Sequence, residues 1–514
     1  MRPVLTTREM KDRERHTIEQ IGIPSVVLME KAALFVCSLV EHNIPKKVLI
    51  CCSHGNNGAD GMAVARILSG RGCHVNIVTV GDMERSTEEN RLQRSFLEQL
   101  KITVYDGIEY INENDSYDII IDALLGIGLN RPLEGDYLAA VRKINNLHDN
   151  NVRVISIDLP SGIHGDSGNV MGDAVHADIT ASFQWQKTGS LLGKGPLYCG
   201  EVIIGEIGIY DTADSVNRYL TENKDLLLLP KRPALGNKGT FGKILSFTGS
   251  EKMAGAMTLS TKAIFRGGAG MVRVISHSCN RETLLSAVPE AIFDSWDSLV
   301  SDSGEINEEL MGRYFDWSTS LLIGCGLSEC RTAEILTEYI MLHYPKTIIA
   351  DGDALNILSR HKEWLLHRKE NGYITILTPH PAEFSRLCGN PEEYRHQDMD
   401  YCMEWANKYG CILVAKDAVT TITDGKIMYF NNSGSNALAT AGSGDVLAGL
   451  TVALSVGYSG PDCECDIVTQ AALAVYIHGR SGVLAAGKYC SSSVMAGDLP
   501  DMIPMVLKEG GMED

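Results

Sequence analysis

Two patterns of hydrophobic and polar positions alternate along this chain: short runs that are apolar or β-branched, and longer stretches whose apolar residues recur three and four apart. In the first part the short runs predict strands at residues 47–52, 75–80, 117–122, 152–158 and 178–183, with amphipathic helices between them. A second series after Pro230 predicts strands at 243–248, 272–276, 321–323, 347–350, 374–377 and 412–415, and helices near 445–455 and 468–485. Short β-branched strands that alternate with helices form parallel sheets covered on both sides, so both parts read as α/β. The polar segment 210–233, with its run from Leu226 to Leu229, separates the two series and puts a boundary near Asn223. The expected domains are residues 1–223 and 224–514.

Composition narrows the ligands. The 514 residues carry 46 Lys and Arg against 65 Asp and Glu, a net charge of -19 that repels nucleic acid and anionic lipid at long range. A phosphate-bearing ligand must then be held by local devices such as backbone amides, helix N-termini or single lysines. None of the 14 cysteines forms a Cys-x-x-Cys pair; the close pairs are Cys51 with Cys52 and Cys463 with Cys465. Free thiols in a reducing compartment are expected, not disulfides or a metal. The charged N-terminus lacks a signal-peptide core and Glu30 and Lys31 interrupt the apolar stretch 25–40, so a cytoplasmic protein with no membrane span is expected.

Three strand ends in the first half carry chemistry. HGNNGADG, from His54 to Gly61, joins a strand to a helix; its glycines let the backbone approach a ligand and the free amides attract anions. By itself the turn fits an empty structural loop equally well, since it is not the GxGxxG fingerprint. Two later strands end in polar residues, at Asp122 ahead of ALLGIGLNRP and at Asp158 ahead of LPSG with Ser161. Loops at the C-terminal ends of parallel strands converge on one crevice, where Asn57, Asp122 and Ser161 can line a cage of oxygens for a hard cation. A single aspartate at such a place is otherwise a helix cap or turn former.

In the second half NALATAGSGDVLAGL sets Gly442, Ser443, Gly444 and Asp445 at the start of an apolar helix. A small-residue turn there exposes amides that can hold an anion, with a carboxylate beside them to act as a base on a hydroxyl. Asp445 can also be a plain helix cap, a role Ser443 fills equally well. VAKDAVTTITDG puts Lys416 at a strand end before a hairpin, and LTPHPAEFSRL puts His380 between two prolines before a helix. There is no Walker A sequence.

Taken together, GIPSVVLMEKAA, HGNNGADG, IDALLGIGLNRP and IDLPSGIHGDSG resemble the NAD(P)H-hydrate epimerase domain over residues 1 to about 217. NKGTFGKILSFTGS, MAGAMTLSTKAIFRGGAGMVRV, IGCGLS, ADGDALNIL, LTPHPAEF, AKDAVTT and ATAGSGDVLAG resemble the ADP- or ATP-dependent NAD(P)H-hydrate dehydratase over about 225–507. The resemblance implies a Rossmann-like three-layer sandwich followed by a ribokinase-like α/β domain. In the first half it implies that Asn56, Asn57, Gly58, Ala59 and Asp60, with Gly126, Ile127, Gly128, Leu129, Asn130, Arg131 and Pro132, bind the hydrated dinucleotide. It further implies that Asp158 faces that ligand and that potassium sits on Asn57, Asp122 and Ser161. Epimerisation inverts one hydroxyl-bearing carbon, which makes Asp158 the expected base.

In the second half the resemblance implies that Ala256, Gly326, His380 and Asp445 contact the hydrate. Lys416, Asp417, Ala418, Val419 and Thr420, with Gly444, would contact the nucleotide, and magnesium would bridge its oxygens. Asp445 is expected to take the hydroxyl proton as a phosphoryl group transfers, ADP giving AMP and phosphate. Two stretches depart from the expected pattern: Asn237-Lys238-Gly239 in place of His-Lys-Gly, and Asp351-Gly352-Asp353 in place of Asp-Ala-Asp. The expected partners are hydrated NADH or NADPH and an adenine nucleotide, with a homo-oligomer built mainly through the C-terminal domains. The rival readings are a small-molecule kinase, which would release a stable phosphorylated alcohol, and an N-terminal domain that has kept the fold and lost catalysis.

Overall fold

The computed structural model describes residues 1–40, 47–212, 216–233, 235–389, 398–457 and 465–511. Cys463 and residues 213–215 of the expected linker lie outside the described residues. The chain divides into two compact units, Pro3–Val216 and Asn217–Asp514, the latter joined by Met1–Arg2.

The first unit contains β1 (Arg2–Leu5), β2 (Lys47–Cys52), β3 (His74–Thr79), β4 (Val104–Asp106), β5 (Ile119–Ala123), β6 (Arg153–Ile157), β7 (Ile179–Phe183), β8 (Gln186–Lys187) and β9 (Glu201–Gly205). Seven of them form a wholly parallel sheet in the order β4-β3-β2-β5-β6-β7-β9. The chain winds outward from β2 to β4 and then returns to the other side of β2 as β5. That reversal is the switch point of a Rossmann-like sheet, where the strand ends leave a crevice for ligands. β1 and β8 pair beside each other, with Leu5 opposite Lys187.

Hydrophobic alternation explains the layers. Val48, Ile50 and Cys52 of β2 face a core built with the helices Ser25–Val40 and Asn56–Gly70. Leu49 and Cys51 face a second core built with the helix Gly135–Asp149. All five are fully buried, and each large aliphatic side chain so placed contributes about 1.5–3 kcal/mol. The five strands expected here form, their ends displaced by two residues at most; β1, β4, β8 and β9 are additional.

The second unit holds β10 (Arg218–Leu220), β11 (Lys243–Phe247), β12 (Met271–Ser276), β13 (Ile292–Ser295), β14 (Ser320–Ile323), β15 (Thr347–Ala350), β16 (Thr375–Leu377), β17 (Ile412–Ala415), β18 (Thr420–Thr423) and β19 (Met428–Asn431). β13-β12-β11-β14-β15-β16-β17 run parallel, and β18 and β19 continue the sheet antiparallel. The hairpin expected after Lys416 is β17-β18. β10 pairs with β19, so residues 218–220, which the sequence pattern puts ahead of the Asn223 boundary, hydrogen-bond with the second sheet. The helices Ser443–Gly457 and Ile467–Tyr489 cover one face and run a few residues past their expected ends.

Thirteen described cysteines are free; Cys279, Cys330 and Cys490 are exposed, Cys388 is half-buried and the rest are buried. Among the described residues no helix is long and apolar enough to cross a membrane.

Candidate functional site

A cavity of about 340 Å³ opens at the switch point of the first sheet. Its walls come from the ends of β2 (Asn56, Asn57, Asp60), β5 (Leu124 to Leu129) and β6 (Asp158), closed by Met10, Glu14, Met29 and Glu89 from three helices. Gly58 lets the turn after β2 fold tightly: a Cβ there would stand 1.9 Å from the Ser53 carbonyl oxygen. Asn130, Arg131 and Pro132 are exposed and do not line the cavity, whereas Gly126 to Leu129 do.

Asp158 sits just past β6 with a φ of +69°, a conformation non-glycine residues rarely adopt and which costs of order 1–3 kcal/mol. Its carboxylate pairs at 2.5 Å with Lys187, whose side chain is fully buried. Lys187 also donates to Ser182 Oγ at 3.2 Å and to the Phe183 carbonyl at 3.0 Å. Around Gly126, a point one Cβ away lies 3.1 Å from Asp158 Oδ2 and 3.4 Å from Asn57 Oδ1, so those two groups converge on one place. Burial, and after it the charge of Asp158, pushes the Asp60 carboxyl well above the usual carboxylate range. The same two causes, in the same order, raise Glu14.

Asp122 lies behind this wall, fully buried. It accepts from Ser161 Oγ at 2.6 Å and from the Ser161 amide and Ser156 Oγ, each at 2.8 Å. Burial raises its carboxyl above the ordinary value, and among the described residues no cation pairs with it. The structure joins Asp122 to Ser161 directly, and the Asn57 amide nitrogen is buried and without a hydrogen-bond partner.

In the second unit the ends of β14, β15, β16 and β17 supply Gly326, Asp351, His380 and Lys416. Lys416 Nζ donates to Asp351 Oδ1 at 2.9 Å and lies 4.0 Å from Glu383 Oε2. Burial opposes the charge on Lys416, but Asp351 and Glu383 outweigh it and hold the ammonium above its usual value. His380 caps the helix Pro381–Cys388 and lies 3.4 Å from Glu383 Oε1; burial lowers its pKa, and Lys416 adds to that. Burial lifts Glu383 to about 7.

Asp445 lies in the first turn of Ser443–Gly457. Burial, then Asp351, raises it to about 7. The Cys325 thiol lies between Asp351 and Asp445, with ligand atoms of all three within 4.8 Å of one another. Gly444 faces this group: a Cβ there would stand 3.2 Å from Lys416 Nζ. Ser443 Oγ is 3.1 Å from His478 Nε2, and burial lowers that histidine to about 4, so it stays neutral. Gly326 and Ala256 touch each other, since a Cβ on the glycine would meet Ala256 Cβ at 2.8 Å. Thr420 caps the turn after Lys416 by donating to the Asp417 carbonyl at 3.2 Å.

Gly352 has a φ of +53°, so the glycine in Asp351-Gly352-Asp353 is what this backbone requires. Sequence reading did not anticipate Lys187, Glu14, Asp351, Glu383, Cys325 or His478. Only Asp351, flagged as part of a departing motif, carried a local signal.

Residues 25–189 match the family described as YjeF-related protein N-terminus, and residues 244–505 match NAD(P)H-hydrate dehydratase. A bifunctional NAD(P)H-hydrate repair enzyme of Thermofilum pendens is 32% identical over 98% of this chain and 96% of its own. The enzyme of the same name from Escherichia coli is 27% identical over 96% of this chain and 91% of its own. A ribokinase-like superfamily protein of Enterococcus faecalis superposes with a TM-score of 0.50 at 26% identity, covering 59% of this chain and 99% of that one. With both units matched and similarity running nearly end to end, this chain belongs to the family of bifunctional NAD(P)H-hydrate repair enzymes.

Proposed function

We propose that the chain returns hydrated NADH and NADPH to service in two steps: residues 1–223 interconvert the R and S epimers, and residues 224–514 dehydrate the S form at the expense of ADP. The observation that carries this is a carboxylate placed at the carboxyl-end side of each sheet's parallel strands: Asp158 in the cavity of the first unit, and Asp445 grouped with Asp351 and Cys325 in the second. The hydrate carries its hydroxyl on a ring carbon next to nitrogen. In the first cleft Asp158 takes and returns a proton at that centre.

In the second cleft Asp445 takes the hydroxyl proton as the oxygen bonds to the terminal phosphorus of ADP and AMP departs. The ring nitrogen then pushes out phosphate, and a proton leaves the neighbouring carbon to restore the reduced nicotinamide. Lys416 and the amides at Gly444 meet the charge on the phosphates. Asp351 and Asp445 provide oxygens of the type magnesium accepts alongside nucleotide phosphates, and that ion would neutralise their charge when bound. Asp417, Ala418, Val419 and Thr420 complete the nucleotide site, and Ala256, Gly326 and His380 that of the hydrate.

We assign potassium to Asn57, Asp122 and Ser161. Its support is a fully buried carboxylate, Asp122, with no cationic partner among the described residues. Bound there, the ion would supply the missing positive charge. A cytoplasmic homo-oligomer is part of the same reading.

The test supplies purified protein with an equilibrated mixture of hydrate epimers, magnesium, and ADP or ATP, following reduced-nicotinamide absorbance. Complete recovery, which requires both activities, is expected with ADP. Recovery that stops partway removes the epimerase, and a stable phosphorylated product without recovery favours the kinase. Replacing potassium by tetramethylammonium is expected to slow only the second, epimerisation-limited phase.

A further inference from the structure

We propose that Asp60 is the general acid of the epimerase cleft, working opposite Asp158; this rests on the epimerase reading above. Inverting a carbon that bears both a hydroxyl and a nitrogen needs no oxidant, but it does need one proton removed and another delivered. The hydroxyl proton passes to the Asp158 carboxylate, a C=O double bond forms, and the ring C–N bond breaks with its electron pair going to nitrogen. Nitrogen takes the proton of Asp60. Rotation about the adjacent carbon–carbon bond turns the other face of the aldehyde to nitrogen, the ring closes, and each carboxyl recovers its starting state.

The geometry points to Asp60 by what the neighbouring groups are already doing. Lys187 is fully buried, and its ammonium is committed to Asp158, Ser182 and the Phe183 carbonyl, so it has no path to a ligand in the cavity. Glu89 accepts the Ser25 hydroxyl at 2.8 Å. Asp60 stands on the helix Asn56–Gly70 at the switch point, lines the cavity, and among the described residues is held by no hydrogen bond or ion pair. Facing it are Asp158, Glu14, Glu89 and the Cys52 thiol, and Lys11 lines the same cavity. Burial and these negative neighbours favour its protonated form, while the Asp158 carboxylate across the cavity is paired with the Lys187 ammonium. One cavity thus holds an unbonded carboxyl that burial keeps protonated and a second carboxyl paired with an ammonium, two different environments of the kind an acid–base pair uses.

The experiment measures epimer interconversion by chromatography across pH in the full-length chain, the spontaneous rate subtracted. Asp60→Asn is expected to lower kcat at least about a hundredfold with the KM for hydrate within threefold. Whatever exchange remains should no longer fall as pH rises, because the group that loses its proton is gone. Asp60→Glu, which keeps an acid, is expected to restore at least a tenth of the wild-type rate. An Asp60→Asn chain within threefold of wild-type kcat, or one that loses KM alone, overturns the assignment. Wild-type protein that fails to interconvert the epimers would sink the epimerase reading itself, whereas active wild type with an unaffected Asp60→Asn removes only this role.

Discussion

Replacing Lys187 by methionine tests the ion pair beneath the epimerase cleft. The substitution keeps the length and apolar stem of the side chain and removes the ammonium that sits 2.5 Å from Asp158. Neither partner can turn to bulk water, since Lys187 is fully buried and the Asp158 side chain is only 11% exposed. Breaking such a pair from one side leaves an uncompensated buried charge, which costs about 3–5 kcal/mol. For a unit of this size each kcal/mol corresponds to roughly 2–4 °C in Tm, so a fall of about 6–20 °C is expected in calorimetry. The partner variant supplies the control: Asp158→Asn strands the buried Lys187 ammonium instead, so adding Lys187→Met in that background removes the stranded charge and should cost far less than the single substitution. A single Lys187→Met variant that loses less than about 1 kcal/mol, or a cost undiminished in the Asp158→Asn background, would falsify the account of this pair.

In the second cleft, Asp445→Asn is expected to abolish hydrate dehydration while leaving epimer interconversion unchanged, measured in the same sample. Because burial lifts Asp445 to about 7 and the base acts as the anion, kcat/KM for dehydration should climb about tenfold per pH unit below about 7 and level off above it. A flat profile from pH 5 to 8 would count against Asp445 as the base. Gly352→Ala forces a side chain onto a φ of +53° with the Gly324 carbonyl oxygen 3.2 Å from the new Cβ. Urea unfolding should register a loss of about 1–3 kcal/mol, and unchanged stability would refute the strain argument.

What could be read from the sequence was whatever the chain announces within a few residues. The turn at His54 to Gly61 and the aspartates at 122 and 158 are legible because a strand must end before them and parallel strands end on one side. For the same reason His380, Lys416 and Asp445 identify themselves. Lys187 does not. It lies 29 positions beyond Asp158 by numbering (187 less 158), on the two-residue strand β8, and an isolated lysine reads as a solvated side chain until its burial is known. Glu383 likewise reads as a capping residue after His380, which it is, and only the pairing of β16 with β17 brings Lys416 beside it. The strand ends were legible to within two residues, while β4, β8 and β10, at two or three residues each, are too short to show a period. The boundary drawn at Asn223 followed the apolar Leu226 to Leu229 run. The pairing of β10 with β19 is a non-local contact that leaves no mark on composition.

The distribution of thiols has a practical consequence for spectroscopy. All the exposed cysteines among the described residues, Cys279, Cys330 and Cys490, belong to the second unit. Cys51, Cys52 and Cys199 of the first unit are buried with their thiols pushed up by that burial, Cys199 to about 12, so they stay unreactive toward maleimides at neutral pH. Cys490 is the opposite case: it is fully exposed, and the hydroxyls of Ser492 and Ser493 lower its thiol, so a dye reaches it first. A fluorophore coupled to the native chain therefore marks the nucleotide-dependent half alone, and a reporter on the epimerase half requires an introduced cysteine.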